Sequence, residues 1–348
     1  MAHTSIKMKV REQWVTVPAL EVDGKTIIVK GNRIKLAAVH EEDWLETGIE
    51  DPERCISRLK EERASGLRAD IFTFAQSLDA MVPRYDYPCE WDSIAALPTH
   101  NFKEWWDKLP QETRKNVRRS QKRGVIVKEV ELDDDVIRGL VDLNNDSPLR
   151  QGRPYTHYGK DFDRVKEDQA SFPGRSGFIC AYFGEELVGY MKIVYRGDVA
   201  SILHLLPKAS HQDKRPANAL IAKAVEVCES KGISHLIFGK FNYGNKRDNP
   251  LREFKIRNGF EEVLVPRFYV PLTTWGKCCV ALKLHRGLVG ILPHRVITLG
   301  VSARAKWYSL LHPESRCSST PERPNRIRQM ERSSPPAGSN PNQSTLAR

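Results

Sequence analysis

The sequence predicts an α/β (α+β) fold in which helices flank a mixed, mostly antiparallel twisted sheet. Three observations predict it. Residues 13–39 alternate apolar and polar side chains, residues 176–206 form further alternating runs broken by turn sequences, and residues 207–270 alternate helical and strand-like segments. Antiparallel strands followed by a strand–helix–strand order place strands of both directions in one sheet.

The first hundred residues are predicted to be rich in strands. Residues 13–39 form a strand meander, because Asp-Gly and Gly-Asn turns separate the alternating runs. Residues 50–66 have helical spacing through Ile56 and Leu59. Residues 69–78 are apolar and compatible with a buried strand or a short helix.

The central part of the chain is predicted to begin with helices. Residues 110–123 form one helix, with proline near its start and Gly124 after its end. Residues 125–130 alternate as a strand, and residues 133–144 combine acidic residues at the start with helical apolar spacing. Residues 160–172 form a second helical stretch.

The remaining elements follow in regular order. Residues 176–206 are three antiparallel strands joined by turns that contain glycine. Helical and strand patterns then alternate as a helix over 216–231, a strand over 233–238, a helix over 249–258 and a strand over 260–270.

Composition narrows the class of protein. The chain has 348 residues, enough for a sizeable buried core, and its formal net charge of +11 favours anionic partners. Its seven cysteines show no CxxC spacing, which argues against a zinc site or a disulfide framework and favours a reducing cytosol. The first residues lack an apolar signal core, and charges interrupt residues 278–301, so a soluble cytoplasmic protein is expected.

Two short motifs carry a family resemblance. Residues 109–127, LPQETRKNVRRSQKRGVIV, resemble the LPxxxRxxIRRAxKxGVxV stretch of the Fem-like branch of the GNAT acyltransferase superfamily. Residues 253–260, EFKIRNGF, resemble the FKxxFG segment of that branch, with Asn258 where an aromatic residue is usual. The similarity spans about residues 65–272. It implies an N-acyltransferase with a GNAT-like sheet, and it leaves open a second, degenerate GNAT-like half at the N-terminus.

The resemblance implies a role for Lys255. Ordinary GNAT acetyltransferases often place a tyrosine four residues before the glycine of the last Gly-Phe pair, whereas the Fem-like branch places a lysine there, and this chain has Lys255. An ammonium at that point could stabilise an oxyanion or hold a donor phosphate. On the alternative interpretation, Leu251, Phe254 and Ile256 form the apolar stripe of the helix and Lys255 is a surface lysine.

The donor is predicted from the segment after the fourth GNAT strand. Enzymes that use acyl-CoA commonly carry an Arg/Gln-x-x-Gly-x-Gly/Ala loop there, but residues 207–218, PKASHQDKRPAN, contain no glycine. Basic side chains could still bind phosphate next to the helix that starts at Pro216. Acyl-CoA is therefore kept as the first donor and aminoacyl-tRNA as the second. The candidate donor-binding residues are Arg114, Arg118, Lys208, Lys214, Arg215, Asn218 and Asn242.

Arg114 and Arg118 lie in a basic helix. They are four residues apart and could clamp one phosphate together, and Lys108 to Lys128 holds eight Lys or Arg against one Glu. A solvated helix face is the alternative, although that helix has little apolar surface beyond Val117.

Three residues are candidates for proton transfer. His157 lies in an aromatic loop and His204 in an apolar strand, and either could be the base that deprotonates the acceptor amine. Tyr243 follows a strand at its C-terminal end, beside Asn242, and could replace the missing tyrosine acid. The alternatives are aromatic loop packing for His157, a satisfied core or edge histidine for His204, and turn chemistry around Tyr243.

The sequence thus predicts an N-acyltransferase that moves an acyl or aminoacyl group to a small-molecule or peptide amine without a metal. The alternatives are an aminoacyl-tRNA-dependent Fem-type ligase and a non-catalytic GNAT-like module that binds RNA or membrane. The predicted division is a strand-rich subdomain (1–100), a GNAT-like domain (101–275), a basic amphipathic extension with possible peripheral membrane contact (276–312) and a disordered tail (313–348).

Overall fold

The computed structural model describes residues 4–10, 13–41, 49–78, 82–150, 153–242 and 250–287. The chain divides into two units, residues 1–294 and 295–348, and every described residue belongs to the first. The tail that was predicted to be disordered and most of the predicted amphipathic extension lie outside the described residues, as does Tyr243. In the part of the chain that the structure describes, no helix combines the length and apolar character needed to cross a bilayer.

The structure contains the strands and helices that the sequence predicted, and also elements that it did not predict, among them the strands Thr4–Val10 and Cys89–Pro98 and the helix Phe102–Lys108. The strands are β1 (Thr4–Val10), β2 (Gln13–Val22), β3 (Lys25–Lys30), β4 (Leu36–Val39), β5 (Ile71–Ala75), β6 (Cys89–Pro98), β7 (Val125–Val130), β8 (Leu149–Arg150), β9 (Arg153–Pro154), β10 (Ser176–Phe183), β11 (Glu186–Arg196), β12 (Val199–Pro207), β13 (His235–Lys240) and β14 (Glu261–Pro271). The helices are α1 (Pro52–Glu61), α2 (Phe102–Lys108), α3 (Gln111–Lys122), α4 (Asp134–Asn145), α5 (Phe162–Gln169), α6 (Pro216–Ser230), α7 (Pro250–Arg257) and α8 (Thr274–Ala281), with short 3₁₀ helices at Ala209–Lys214 and Leu284–Arg286.

One twelve-stranded sheet has a palindromic strand order. The order is β1-β2-β3-β4-β5-β14-β6-β13-β12-β11-β10-β7. On one side, the antiparallel strands β2, β3 and β4 lead through α1 to the parallel strand β5. On the other, β10, β11 and β12 lead through α6 to the parallel strand β13. The fold class predicted from the sequence is confirmed, and the sheet contains two halves of like topology.

The two halves exchange strands at the centre of the sheet. Strand β14, from the end of the second half, pairs antiparallel with β5 of the first, and β6 of the first half pairs with β13 of the second. Strands β6 and β14 pair with each other from Ala96–Glu261 to Cys89–Phe268. The hydrogen bonds of each half are therefore completed by the other.

Different cores lie on the two faces of the second half. Strand β11 sends Val188 and Met191 into a core shared with α6, and sends Leu187 and Tyr190 into a core shared with α4 and α5. The first half instead packs α1 against β2–β5 around a cluster of aromatic rings. The polar groups discussed below lie in the second half.

Helix α3 has the narrow apolar stripe that its sequence predicts. Only Thr113, Val117 and Ser120 are buried along it. Two further contacts hold it in place: the Thr113 hydroxyl donates to the carbonyl of Arg257 (2.9 Å), and the Arg118 guanidinium lies over the ring of Trp106 (5.6 Å). Most of the Lys and Arg side chains of α3 face solvent, so they are not needed to pack the helix against the domain.

Candidate active site

The sheet opens between β12 and β13. These parallel strands pair only from Val199–His235 to Ser201–Ile237, although β12 continues to Pro207 and β13 to Lys240. Strand β12 also carries an irregularity: Lys192 of β11 pairs with His204 and Ile193 with Ile202, which leaves one extra residue in β12. A bulge of this kind bends a strand and re-aims its side chains. The opening lies where ligands bind at the carboxyl ends of parallel strands.

Lys255 lies beside this opening. Its side chain is 0% exposed, and its Nζ donates to the carbonyls of Phe238 (2.5 Å) and Lys240 (2.7 Å) at the end of β13. The ammonium also lies 4.6 Å from the centre of the Phe238 ring. Gly239, between the two acceptors, has a φ of +57°, a conformation that glycine adopts without strain. The lysine thus stabilises a kinked strand end.

The burial of Lys255 overturns the apolar stripe expected for α7. Ile256, one of its expected members, is 39% exposed, whereas the lysine beside it is enclosed. Two backbone carbonyls on β13 lie within reach of the ammonium, and these hydrogen bonds offset the cost of removing the charge from water. Burial lowers the pKa of Lys255 from 10.5 to about 8, so the charged form still predominates at neutral pH.

His204 lies on the other strand of the opening. Its Nδ1 is 3.1 Å from the Tyr190 hydroxyl, on the face covered by α4 and α5. Burial lowers the pKa of His204 from 6.5 to about 4, and the neighbouring His157 and Lys192 act in the same direction. His204 is therefore neutral at pH 7, which is the state that a base requires.

The structure brings His157 to His204. The two ring centres are 6.1 Å apart. Lys160 contacts His157 Nδ1 (3.0 Å) and donates to the Asp168 carboxylate (2.6 Å), so one buried ion pair supports the imidazole. The two histidines that the sequence singled out as bases belong to one polar cluster on the α4–α5 face.

The low pKa of His204 predicts a pH-dependent stability. Above pH 6.5 the histidine is neutral in both folded and unfolded chains, and as the pH falls towards 4 only the unfolded chain takes up the proton. We expect the stability advantage of wild type over His204→Asn to shrink by about 3 kcal/mol across that window. Urea unfolding of both proteins at several pH values measures it, and a constant difference would contradict it.

In the loop that was expected to bind donor phosphate, the basic side chains already contact other groups of the protein. Residues Ala209–Lys214 form a 3₁₀ helix, and Lys208 binds Glu186 (2.5 Å). Lys214 lies 3.7 Å from Asp213 and over the Phe183 ring. Arg215 adopts a left-handed conformation (φ +56°) directly before α6.

A carboxylate of the protein binds the N–H groups of this loop. Asp146 accepts hydrogen bonds from the backbone N–H of Ala209 (2.6 Å) and Ser210 (3.4 Å) and from the Ser210 hydroxyl (2.8 Å). Burial opposes ionisation of Asp146, but these hydrogen bonds outweigh it and hold the pKa below its usual range. An anion therefore already occupies backbone donors of the kind that bind pyrophosphate in glycine-rich loops. The sequence analysis did not identify Asp146.

The two candidate asparagines have structural contacts near Lys255. The Asn218 amide donates to Asn258 Oδ1 (3.0 Å) and joins the start of α6 to the end of α7. Asn242 donates to the Glu262 carboxylate (2.7 Å) and accepts from Arg252 Nε (3.0 Å). Asn218 thus links α6 to the end of α7, and Asn242 links the end of β13 to α7 and β14.

Arg114 and Arg118 lie on α3, which packs against α6. Arg118 is exposed and stacks on Trp106, as described above, and Arg114 is partly exposed. A phosphate clamp formed by the pair stays a prediction.

Lys192 is a further buried cation that the sequence analysis missed. It is 0% exposed, and its Nζ donates to the carbonyls of Gln169 (2.7 Å) and Ser171 (3.0 Å) and to the Ser171 hydroxyl (2.8 Å). Burial lowers its pKa from 10.5 to about 8. The available signal was a lysine in the middle of an apolar strand, VGYMKIVY. Within the described ranges, no group of three or more His, Cys, Asp or Glu residues is arranged to hold a metal ion.

Comparisons with known proteins agree with this architecture. Residues 137–251 match the acetyltransferase (GNAT) family, and no curated protein matches the chain. The fold is similar to the C-terminal domain of a putative lysylphosphatidylglycerol synthetase from Agrobacterium fabrum (13% identity, TM-score 0.50, 77% of this chain and 89% of that one). It is also similar to a conserved protein of unknown function from Bacteroides thetaiotaomicron (11% identity, TM-score 0.50, 73% and 86%). FemX aligns with 12% identity and a TM-score of 0.49 over 76% of this chain and 88% of that one.

Proposed function

Residues 137–251 match the acetyltransferase (GNAT) family, and from this premise we propose that the chain is an acyltransferase that moves an acyl or aminoacyl group from an activated donor to an amine acceptor. One observation carries the proposal. The sheet opens between β12 and β13, with neutral His204 on one strand and the Lys255 ammonium bound to the end of the other. Amine acylation needs a base for the amine proton and positive charge near the developing oxyanion.

Each group has a role in that reaction. His204 takes the proton that the amine nitrogen loses as it attacks the acyl carbon. Lys255, held by two carbonyls of β13, places a fixed positive charge beside the opening, where it stabilises negative charge on the carbonyl oxygen. The remaining contribution is orientation of donor and acceptor within the opening.

The donor is proposed from the contacts of Asp146. Acyl-CoA is the usual donor for a GNAT fold, but its pyrophosphate would have to displace the Asp146 carboxylate from Ala209 and Ser210. An aminoacyl ester of tRNA needs no pyrophosphate at this loop, and the exposed cations of α3 and the net charge of +11 suit a polyanion. Of the two predicted donors, the geometry favours aminoacyl-tRNA.

A binding experiment distinguishes these donors. We expect charged tRNA to raise the melting temperature, with an affinity that falls steeply between about 50 and 200 mM salt, because phosphate contacts release counterions. Coenzyme A and acetyl-CoA should produce little shift in the melting temperature, even at concentrations well above those at which tRNA produces its shift. The double variant Lys115→Gln, Lys122→Gln on α3 should reduce the salt dependence of tRNA binding, because it removes two cations from the proposed contact. A large shift with acetyl-CoA and none with tRNA would assign the donor to acyl-CoA.

A non-catalytic role in binding RNA is the second candidate, and the exposed cations of α3 favour it. It predicts that tRNA binding survives every substitution at His204 and Lys255 and that no acyl transfer occurs in the wild type. A peripheral membrane contact through residues 276–312 and a cytoplasmic location stay predictions, as does the division into domains.

A further inference from the structure

Gln169, at the end of α5, has one buried amide atom that lacks a partner. Its side chain is 4% exposed, and its Nε2 donates to the Tyr190 hydroxyl (3.3 Å). Its Oε1 is buried without a hydrogen-bond partner among the described residues. A buried amide atom left unpaired is costly, and either orientation of the Gln169 amide leaves one of its two polar atoms in this position, so the contact with Tyr190 does not by itself fix the orientation.

The Tyr190 hydroxyl joins Gln169 to His204, and it has a single proton. In the arrangement described, it accepts from Gln169, donates to His204 Nδ1, and leaves the ring proton of neutral His204 on Nε2. A half-turn of the Gln169 amide exchanges its oxygen and nitrogen. Tyr190 can then donate to the amide oxygen and accept from Nδ1–H, so that Nε2 carries a free lone pair.

Only the second arrangement makes His204 a base. When the amine proton arrives at Nε2, the imidazolium keeps Nδ1–H bonded to the Tyr190 oxygen, and no further proton has to move. In the first arrangement Nε2 already carries a proton, and the Nδ1 lone pair is occupied by Tyr190. The direction of one hydrogen bond therefore determines whether His204 can accept a proton.

We propose that Gln169 and Tyr190 are positioning residues which form a two-state hydrogen-bond switch that selects the base tautomer of His204. The proposal rests on the function proposed above, in which His204 accepts the amine proton. The unpaired Gln169 oxygen is the acceptor to which the Tyr190 proton turns when His204 becomes a base.

Charged neighbours bias the switch toward a neutral imidazole. Lys192 on β11 pairs across the sheet with His204, while Lys160 contributes positive charge from the loop between α4 and α5. Asp168 on α5 is the opposing negative charge, and it is already bound to Lys160. These charges disfavour the imidazolium in the resting state, so the tautomer of the neutral ring becomes the property that Gln169 and Tyr190 control.

Gln169→Glu and Gln169→Leu test the switch in opposite directions. A carboxylate only accepts, so Gln169→Glu should hold the Tyr190 proton and move His204 to the Nδ1–H form. It should also move the acidic limb of the pH profile of kcat/KM to higher pH. Gln169→Leu leaves Tyr190 to donate to His204, which should favour the Nε2–H form and lower kcat at least about tenfold. Gln121→Leu, at an exposed glutamine on α3, is the control and should change neither quantity.

Nitrogen NMR of labelled histidine reads the tautomer directly and needs no substrate. The His204 signals are assigned by their loss in His204→Asn. Opposite displacement of the tautomer ratio in the two Gln169 variants supports the switch, and Tyr190→Phe should abolish the difference between them. The same ratio in the wild type and in the folded Gln169 variants would overturn it. Because Gln169→Leu buries no charge, it keeps the test decisive if Gln169→Glu does not fold.

The two proposals fail in different ways. Unchanged turnover in His204→Ala would remove His204 from the reaction but would leave the NMR result to decide the switch. Lost turnover in His204→Ala, combined with an unmoved tautomer ratio, would keep the base and overturn the switch alone.

Discussion

Lys255→Met is expected to lower kcat/KM about 100-fold or more and to lower the free energy of unfolding by about 2–4 kcal/mol. Methionine fills most of the volume of the lysine stem but removes the donor to the carbonyls of Phe238 and Lys240, which are held at the kinked end of β13. The loss of positive charge should reduce oxyanion stabilisation, and the loss of hydrogen bonds should loosen the strand end. Steady-state kinetics and urea unfolding measure the two effects separately.

Arg257→Met is the matched control for Lys255→Met. Arg257 lies on the same helix and is also cationic, but its side chain is 62% exposed and pairs with Glu253. Exposed pairs of this kind contribute at most about 1 kcal/mol, so this variant should retain turnover and most of its stability. If both variants lost turnover equally, the charge of Lys255 would have no special role. If Lys255→Met kept full turnover, Lys255 would be a structural residue alone.

His204→Ala is expected to lower kcat by about 100- to 1,000-fold, the usual contribution of a general base. Because His204 accepts the amine proton in the proposed reaction, the loss should be greatest for acceptors whose amine is the most basic. A single-turnover assay with preformed donor complex measures the step without product release. The same assay should be applied to His157→Ala, because the ring centre of His157 lies 6.1 Å from that of His204 and His157 is the other candidate base.

Two further histidine variants complete that experiment. His100 is exposed and follows the C-terminal end of β6, so His100→Ala should behave as the wild type. His157→Ala should change turnover less than His204→Ala does. In the proposed reaction His204 accepts the amine proton, whereas His157 contacts Lys160, which is bound to Asp168. A larger loss in His157→Ala than in His204→Ala would transfer the role of base to His157.

Local patterns were sufficient for most of the elements. Turn residues and alternation located β2 to β4 and β10 to β12, and a proline and a glycine delimited α3. These patterns act over a few residues, so the chain alone expresses them. The segment 69–78 was ambiguous because a short apolar run has no diagnostic period, and its pairing with β4 and β14 resolves it as strand β5.

The exchange of β6 and β14 was beyond local patterns. Nothing in the sequence of either strand states which of two similar partners it will join, since β5 and β13 are equivalent by topology. That choice depends on pairing between residues more than a hundred positions apart, from Glu261–Ala96 to Phe268–Cys89. The sequence left open whether the chain contains two similar halves, and the strand order shows that both halves have the same topology.

The sequence by itself determined the fold class, the basic character and the residue types of the candidate site, including Lys255, His157 and His204, because periodicity, charge and short motifs are properties of the chain. Tertiary structure alone decided which charges are buried. Lys255 and Lys192 are enclosed only because backbone carbonyls from distant segments converge on them. Asp146 occupies the loop of Ala209 only after β12 and α4 have been packed together. Hydrogen-bond partners so far apart in the chain become specified when the whole sheet forms.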